Sequence, residues 1–258
     1  MIGRYAIRFG ALAYVGGLLL APVSYVFYKT FEHGFWPAWH AVTTPDALHA
    51  LKVTLILAGI AVPANTMFGV LAALAIVRYR FPGAGVFNAV VDLPLALSPV
   101  VVGLALLLLY GRGGWLGGHQ IVFALPGMVL ATIFVSLPFV VREVVPVLRE
   151  IGTEQEQAAT TLGANTWQTF WRVTWPAIRW ATAYGVVLTV ARSLGEFGAV
   201  SVVSGRLTGQ TESLTLYVQD RYQGFDEVGA YAAAVVLALI AVTTLILMTA
   251  LKPKEETR

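Results

Sequence analysis

Six long apolar runs constrain this chain more than any other feature of its sequence. They cover residues 9–28, 51–77, 86–110, 121–141, 177–203 and 228–251. Each run is long enough to cross a hydrocarbon core about 30 Å thick as a helix. Only 12% of the residues are charged, whereas soluble domains are about 25% charged. We therefore predict an all-α integral membrane protein with six transmembrane helices, built as a single domain over residues 1–258.

The first apolar run has two interpretations. It follows Arg4 and Arg8, as the apolar part of a secretory signal peptide follows basic residues. However, the run is about 20 residues long, which exceeds the usual length of that part of a signal peptide, and no small-residue cleavage site closes it. We therefore predict that it is retained as the first span.

The distribution of lysine and arginine predicts the orientation, because cytoplasmic loops carry an excess of both. The side that holds the N-terminus has 11 of the 17 basic residues, namely Arg4, Arg8, Arg78, Arg80, Arg142, Arg149, Arg172, Arg179, Lys252, Lys254 and Arg258. The opposite side has 5, namely Lys29, Lys52, Arg112, Arg206 and Arg221, and Arg192 falls inside the fifth run. Both termini and the polar segment between runs four and five are therefore predicted to be cytoplasmic.

The segment between the first two runs, residues 29–50, has no sustained hydrophobic period and mixes tryptophan with proline. This pattern predicts a loop with interfacial aromatic residues. Its histidines, His33, His40 and His49, are irregularly spaced and lack a clustered carboxylate. We expect solvated side chains there rather than a metal site.

A polar segment, residues 152–171, separates the fourth run from the fifth. Thr153 with Glu156 three residues later has the spacing of a capping box, and acidic residues favour the first turn of a helix. Gly163 is then the natural stop. A short helix is therefore predicted between Thr153 and Gly163.

A second cap signal follows, because Asn165 precedes Gln168 by three residues. Pro176 stands where the next long helix is expected to begin. Aromatic residues recur at helical spacing after the cap, at Trp167, Phe170 and Trp171. The segment is thus predicted to be two short helices joined by a glycine bend. Its periodicity suits an amphipathic connector, and equally a unit that lies on the lipid interface or enters a partner's groove.

The spacing Gln157-Ala158-Ala159, three residues, Gly163, and later Trp175-Pro176 resembles the signature loop of binding-protein-dependent ABC importer permeases. That family has Glu-Ala-Ala, three residues, Gly, and later Leu-Pro. The resemblance implies that residues from about 150 to 175 form a coupling-helix pair that docks into a cleft of the ATP-hydrolysing subunit. The residues assigned to this coupling by resemblance are Thr153, Glu154, Glu156, Gln157, Ala158, Ala159 and Gly163.

Two positions depart from the family pattern. Gln157 stands where the family has glutamate, and Trp175 stands where it has leucine. Glu156 lies about 100° around the helix from residue 157. Its carboxylate therefore cannot occupy the position of the glutamate that the family has at residue 157.

Two further stretches, residues 93–103 and 190–205, resemble the third-span and fifth-span motifs of sulfate and molybdate permeases. Residues 206–216 resemble the sulfate and thiosulfate permeases more closely, and the nearest resemblance is to the second of two non-identical sulfate permeases. This implies homodimeric ATP-binding subunits, a second homologous permease and a periplasmic sulfate-binding protein in the bacterial inner (plasma) membrane. The chain has no phosphate-binding Gly-x-x-x-x-Gly-Lys motif. We therefore expect no cofactor on this chain, and ATP with magnesium on the partner ATPase.

Polar residues within the spans are the candidates for the translocation pathway, because charges in a bilayer are expensive and usually have a partner. The candidates are Ser98, Arg192, Ser193, Gly195 and Glu196. Arg192 and Glu196 are one turn apart, which allows a structural ion pair or a direct substrate role. Asp92 lies only about 9 Å into the third run, so we expect it near the cytoplasmic interface and not beside Arg192.

The sequence therefore predicts a permease subunit that moves sulfate or thiosulfate by alternating access. A molybdate or tungstate permease of the same architecture is the nearest alternative. A secondary transporter working alone, with Arg192, Glu196 and Asp92 as an ion relay, is another. No nucleophile and base pattern is present in the spans, so no catalytic residue is predicted. Basic residues are scattered among the loops, and nucleic acid is not an expected partner.

Overall fold

The computed structural model describes residues 2–116 and 121–251. Within these ranges every regular element is a helix, as predicted. The first seven helices are α1 (Ile2–Val15), α2 (Ala21–Phe31), α3 (Phe35–Val42), α4 (Pro45–Arg78), α5 (Ala84–Ala96), α6 (Pro99–Tyr110) and α7 (Leu125–Ser136). The others are α8 (Pro138–Glu150), α9 (Glu154–Thr161), α10 (Thr166–Thr169), α11 (Trp175–Leu194), α12 (Gly198–Val203), α13 (Leu214–Gln223) and α14 (Glu227–Leu251). Two π-helical segments, Gly16–Leu20 and Phe170–Thr174, join α1 to α2 and α10 to α11.

In the described part of the chain, four helical stretches are long and apolar enough to cross a membrane: Arg8–Phe31, Pro45–Arg78, Leu125–Glu150 and Glu227–Thr244. The bent pair α5 and α6 makes a fifth when it is counted as one broken span. The membrane class of the fold is therefore as predicted. The basic residues Lys252, Lys254 and Arg258, which entered the orientation argument, lie outside the described residues.

The third predicted run is not one straight helix. The chain bends by 111° between α5 and α6, and Leu97 and Ser98 are in extended conformation at the bend. Pro99 favours a break at this point, because its ring disfavours helical geometry at the residue before it and it has no N–H to continue the ladder. The prediction of a continuous helix over residues 86–110 was wrong.

The fifth predicted run is also interrupted. Helix α11 ends at Leu194, and α12 begins at Gly198. The Glu196 carboxylate accepts a hydrogen bond from the Ala199 backbone N–H at 2.7 Å. A side chain thus takes over a donor that a continuous helix would have paired with a backbone carbonyl. A continuous helix over residues 177–203 was therefore a wrong prediction.

The remaining differences concern element boundaries. The predicted loop at residues 29–50 contains the short helix α3, and α4 already begins at Pro45. The fourth run, predicted as residues 121–141, continues through α8 to Glu150. The apolar run ends early because α8 is amphipathic and buries only one face, which includes Val144 and Leu148.

Two apolar cores position the functional elements. One joins α4, α8 and α11 around the fully buried Val140, Val144 and Ile178. The other joins α6, α7 and α12 around Met128 and Val200. The first core holds the base of the coupling segment, and the second holds the two broken runs together.

Candidate functional site: the coupling segment and the broken runs

Helix α9 begins after Thr153, as predicted, but the predicted capping box is wrong. The Thr153 side chain makes no cap hydrogen bond to the helix. Its hydroxyl instead accepts a hydrogen bond from the Gln157 amide at 3.1 Å. Glu156 cannot close the box because both of its carboxylate oxygens are engaged elsewhere.

Glu156 lies in a polar cluster with Arg78 and Thr174. The Arg78 Nε is 2.9 Å from the Glu156 Oε2, and the Thr174 hydroxyl donates to the Glu156 Oε1 at 2.8 Å. Arg78 also donates to the carbonyl oxygens of Leu148 at 3.0 Å and Gly152 at 2.7 Å. Sequence reasoning missed Arg78, since no spacing rule relates residue 78 to residue 156.

Gly163 ends the first coupling helix, as predicted. Its φ is +87°, a left-handed conformation that glycine adopts without a steric penalty. The Gly163 N–H donates to the Thr160 carbonyl at 2.9 Å, and the Ala164 N–H donates to the Ala159 carbonyl at 3.0 Å. These bonds satisfy carbonyls that the end of α9 leaves free.

The second cap is confirmed. The Asn165 side chain accepts from the Gln168 N–H at 2.8 Å, and the Gln168 side chain accepts from the Asn165 N–H at 3.0 Å. The long helix α11 then begins at Trp175 with Pro176 in its first turn, as predicted. The π-helical segment joins α10 to α11, so the backbone stays helical between the two elements.

The coupling residues assigned by resemblance fall into two groups. Glu156 and Ala159 are half-buried on the side that faces the helix bundle. The other five, Thr153, Glu154, Gln157, Ala158 and Gly163, are exposed. Leu162 is 89% exposed next to them, a large apolar side chain that the sequence analysis did not single out. The exposed group and Leu162 therefore lie on the surface of the protein next to one another in the chain.

Arg192 and Glu196 form an ion pair across the end of α11. The Arg192 Nη1 is 2.6 Å from the Glu196 Oε2, and the two side chains are 29% and 2% exposed. The structural ion pair, one of the two alternatives left open by the sequence, is thus present. Because the carboxylate also caps α12 through Ala199, Glu196 fixes the geometry of the break.

Ser193 faces the protein interior. Its hydroxyl donates to the Ser136 hydroxyl at 3.4 Å, and Ser136 also accepts from the Asn65 amide at 2.8 Å. This chain of polar groups links α11, α7 and α4, which gives buried Asn65 a partner. Ser193 is 3% exposed, whereas Ser98 and Gly195 are exposed.

The two chain breaks lie against each other. A Cβ atom added at Gly198 would lie 2.9 Å from the Pro99 Cβ, so the Ser98 corner packs directly on the start of α12. The structure therefore brings Ser98 close to the segment that holds Gly195 and Glu196. Asp92 forms its ion pair with Arg142 of α8. It does not pair with Arg192, which agrees with the prediction.

Gly103 allows the closest approach between α6 and α12. A Cβ atom there would lie 2.7 Å from the Ala199 carbonyl oxygen and 2.8 Å from the Val202 Cβ. We expect Gly103→Ala to destabilise this contact by about 1–3 kcal/mol, because backbone atoms cannot move aside as a flexible side chain does. The measurement is the thermal unfolding midpoint of the purified protein in lipid nanodiscs. Gly59→Ala is the matched control, since no atom lies within 4 Å of its added Cβ; equal midpoints for both variants would contradict the prediction.

The first turn of α13 is tied to the break, since the Thr215 hydroxyl donates to the Glu196 carbonyl oxygen at 2.8 Å. The loop that leads into α13 carries the buried Glu212. Burial, with the charge of Asp220 as a second cause, raises the pKa of the Glu212 carboxyl from its ordinary 4.5 to about 6. Thr208 and Arg221 act in the opposite direction.

Because the pKa of Glu212 is raised in the folded state, the protein becomes less stable as pH rises. The folded state holds the Glu212 proton more tightly than the unfolded state does. The contribution of this proton to the free energy of unfolding is therefore complete below about pH 4.5 and is lost as pH rises through about 6. We expect Glu212→Gln to flatten this part of the pH dependence of the unfolding midpoint, measured at several values between roughly pH 4.5 and 7. Glu150→Gln removes an exposed carboxylate and serves as the control. A wild-type slope in Glu212→Gln would refute the assignment.

Comparison with known proteins places this geometry in a family. Residues 65–257 match the family described as binding-protein-dependent transport system inner membrane component. The chain belongs to this family. As a binding-protein-dependent permease it is a transport component of the inner membrane and not an enzyme, in agreement with the sequence analysis.

Two relatives narrow the position of this permease within the family. It is 50% identical over 257 residues to the sulfate transport system permease protein CysW of Synechocystis, covering 97% of this chain and 93% of that protein. It is 40% identical over 235 residues to the sulfate transport system permease protein CysT of Escherichia coli, covering 88% of this chain and 85% of that protein. The resemblance to sulfate permeases is confirmed.

A solved structure has the same fold. The bacterial ABC transporter that imports the acidic polysaccharide alginate superposes with a TM-score of 0.78, covering 98% of this permease and 96% of that chain. The sequences are only 19% identical, so this likeness concerns the fold alone. It establishes the ABC importer permease fold for the helices described above.

Proposed function

We propose that this permease moves sulfate across the bacterial inner membrane as one membrane subunit of an ATP-driven importer. The observation that carries the proposal is the 50% identity to a CysW sulfate permease over nearly the whole chain. Thiosulfate is included as a substrate of the same charge and similar size. Molybdate and tungstate remain the alternative substrates that the experiment below separates.

The proposed topology has six spans with both termini in the cytoplasm. The bent pair α5 and α6 is the third span, and α11 is the fifth. Helix α11 has 20 residues, about 30 Å at 1.5 Å per residue, which matches the hydrocarbon core. It also carries Arg179 and Arg192, which lower its mean hydropathy. The excess of basic residues on the side of the N-terminus supports the orientation.

The proposed partners are homodimeric ATP-binding subunits, a second homologous permease and a periplasmic sulfate-binding protein. The CysT relative, 40% identical to this chain, is a model for the second permease. ATP and magnesium are assigned to the ATP-binding subunits. The surface formed by the exposed coupling residues and Leu162 is the proposed docking site for one of these subunits.

The proposed mechanism is alternating access. Closure of the ATP-binding subunits moves α9 and α10 and thereby changes which side of the pathway is open, and differential binding of each ligand to the two states links ATP to transport. Ser98, Arg192, Ser193, Gly195 and Glu196 remain the proposed pathway residues. Since Glu196 neutralises Arg192, this region offers weak, partly polar contacts to a dianion, and weak contacts favour its release.

The local charge pairs argue against an ion relay through this chain alone. Asp92 pairs with Arg142, and Arg192 pairs with Glu196. Each acid is thus neutralised by a close cation and not by the next group of a chain that crosses the membrane. A secondary transporter would also leave the capped coupling segment without a role.

The test is uptake into proteoliposomes that contain this permease with the other permease and the ATP-binding subunits. Labelled sulfate, thiosulfate, molybdate and tungstate are compared with and without ATP and with and without the binding protein. Proteoliposomes that contain this permease alone, with an ion gradient, are measured in parallel. We expect sulfate uptake that requires all components. Uptake by this chain alone, driven by an ion gradient, would overturn the importer proposal, and ATP-driven uptake of molybdate without sulfate would overturn the substrate assignment.

A further inference from the structure

Helix α9 is poorly attached to the rest of the protein by its backbone and by apolar packing. It has eight residues, none of which is buried. Glycines with positive φ stand on both sides of it, Gly152 at +62° and Gly163 at +87°. A helix this short is marginal without tertiary contacts. Some other contact must therefore hold α9 in a fixed position if a force on it is to reach the spans.

The Arg78 guanidinium provides that contact. One nitrogen pairs with Glu156 of α9, and the other two donate to the carbonyl oxygens of Leu148 and Gly152 at the end of α8. Arg78 is itself the last residue of α4. The second carboxylate oxygen of Glu156 is bound by Thr174, at the base of α11. Four chain segments thus meet at one ion pair.

The environment makes this pair stronger than an ordinary surface ion pair. The Arg78 and Glu156 side chains are only 11% and 20% exposed, so water screens them poorly. Hydrogen bonds from an ionised donor are about twice as strong as neutral ones, and Arg78 donates two of them, to the Leu148 and Gly152 carbonyl oxygens. Its third nitrogen, Nε, lies 2.9 Å from the Glu156 carboxylate as a charge partner. The single ammonium group of lysine cannot make these three contacts together.

We propose that the Arg78 and Glu156 ion pair is the mechanical link that carries movement of α9 to the spans, and so sets how tightly ATP hydrolysis is coupled to transport. This inference rests on the proposed function, because it takes α9 as the helix that docks on the ATP-binding subunit. Arg78 and Glu156 are positioning residues and contact no substrate. The Arg78 guanidinium and the Glu156 carboxylate face the helix bundle, while the proposed docking surface faces away from it.

The link acts in both directions, because coupling free energies are reciprocal. Movement of the ATP-binding subunits reaches the spans through the pair. Binding of the loaded periplasmic protein reaches the ATP-binding subunits through the same pair. Loss of the pair should therefore reduce both sulfate uptake and the stimulation of ATP hydrolysis by the binding protein, while basal ATP hydrolysis stays unchanged.

The experiment uses the complete complex in proteoliposomes, with Arg78→Gln, Glu156→Gln and the double variant. We expect each single variant to lower sulfate uptake and the stimulation factor at least about tenfold, with basal ATP hydrolysis per assembled complex within about twofold of the wild type. The double variant should be no worse than either single one, because both remove the same interaction. Arg78→Lys should resemble Arg78→Gln.

Arg149→Gln is the matched control. It removes the same charge at an exposed arginine that makes no ion pair with any residue in the described part of the chain. Wild-type stimulation and uptake are expected for it. A purely structural role of Arg78 would instead lower basal hydrolysis and uptake together, in proportion to the amount of assembled complex, and that result would overturn the inference.

Hydrogen exchange gives a second readout that does not depend on transport. Amides of residues 154–161 in the assembled complex should exchange faster in Arg78→Gln than in Arg149→Gln. If wild-type complex shows no ATP-dependent sulfate uptake, the proposed function fails and the inference falls with it. If wild type transports sulfate while Arg78→Gln retains full stimulation and unchanged exchange, only the inference is wrong.

Discussion

Gly163→Pro should abolish ATP-driven sulfate uptake while the complex still hydrolyses ATP. Proline fixes φ near −65°, whereas Gly163 has φ +87°, so the bend between α9 and α10 cannot form. Proline also removes the N–H that donates to the Thr160 carbonyl. A penalty of about 3 kcal/mol or more reduces the population of the native bend at least about 100-fold.

Gly163→Pro should disturb coupling without disturbing the folding of the helix bundle. Gly163 is exposed, and nothing lies within 4 Å of a Cβ atom added there, so the helix bundle should assemble normally. Gly163→Asn is the control, because asparagine tolerates the left-handed conformation better than most residues, and it should retain most of the uptake. The readouts are sulfate uptake and ATP hydrolysis per assembled complex. Normal uptake in Gly163→Pro would show that the bend is not needed for coupling.

Glu196→Leu is expected to have the largest effect on stability. It leaves Arg192 without its partner at 2.6 Å and the Ala199 N–H without its acceptor. Removing one member of a buried ion pair costs about 3–5 kcal/mol. Because Arg192 is 29% exposed, we expect about 3 kcal/mol, the lower end of that range. The thermal midpoint of the purified protein in nanodiscs is the measurement.

The double variant Arg192→Met with Glu196→Leu tests the physical reason. If the unpaired Arg192 charge is the main cost, removing it as well should restore much of the lost stability. Glu196→Gln keeps an oxygen that is able to accept from Ala199, and we expect a smaller loss from it than from Glu196→Leu. A double variant as unstable as Glu196→Leu would mean that the cap on α12, and not the ion pair, dominates.

Features that depend on near neighbours in the chain were predictable. The stop at Gly163 and the cap at Asn165 each involve contacts within a few residues. The cap prediction at Thr153 followed the same rule and was wrong, because Arg78 and Thr174 bind the carboxylate of Glu156 more favourably than a backbone N–H does. Both competitors are distant in sequence from the helix start.

The breaks in the third and fifth runs were also missed because the contacts that decide them are distant in sequence. Apolar composition measures whether a segment suits a bilayer, and it says little about whether the backbone stays helical. Pro99 and Gly195 were visible in the sequence, but proline and glycine occur in continuous membrane helices too. What distinguished these positions was the packing of Gly198 against the Pro99 corner and the cap by Glu196.

The sequence by itself determined the membrane class, the position of the polar coupling segment and its glycine bend, because hydrophobic length and local hydrogen bonding act along the chain. The tertiary structure alone decided that Arg78 holds Glu156, that Ser193 faces inward and that two runs are broken. These features depend on which distant groups meet in a low-dielectric interior. There an unpaired charge or donor is costly enough to override local preference.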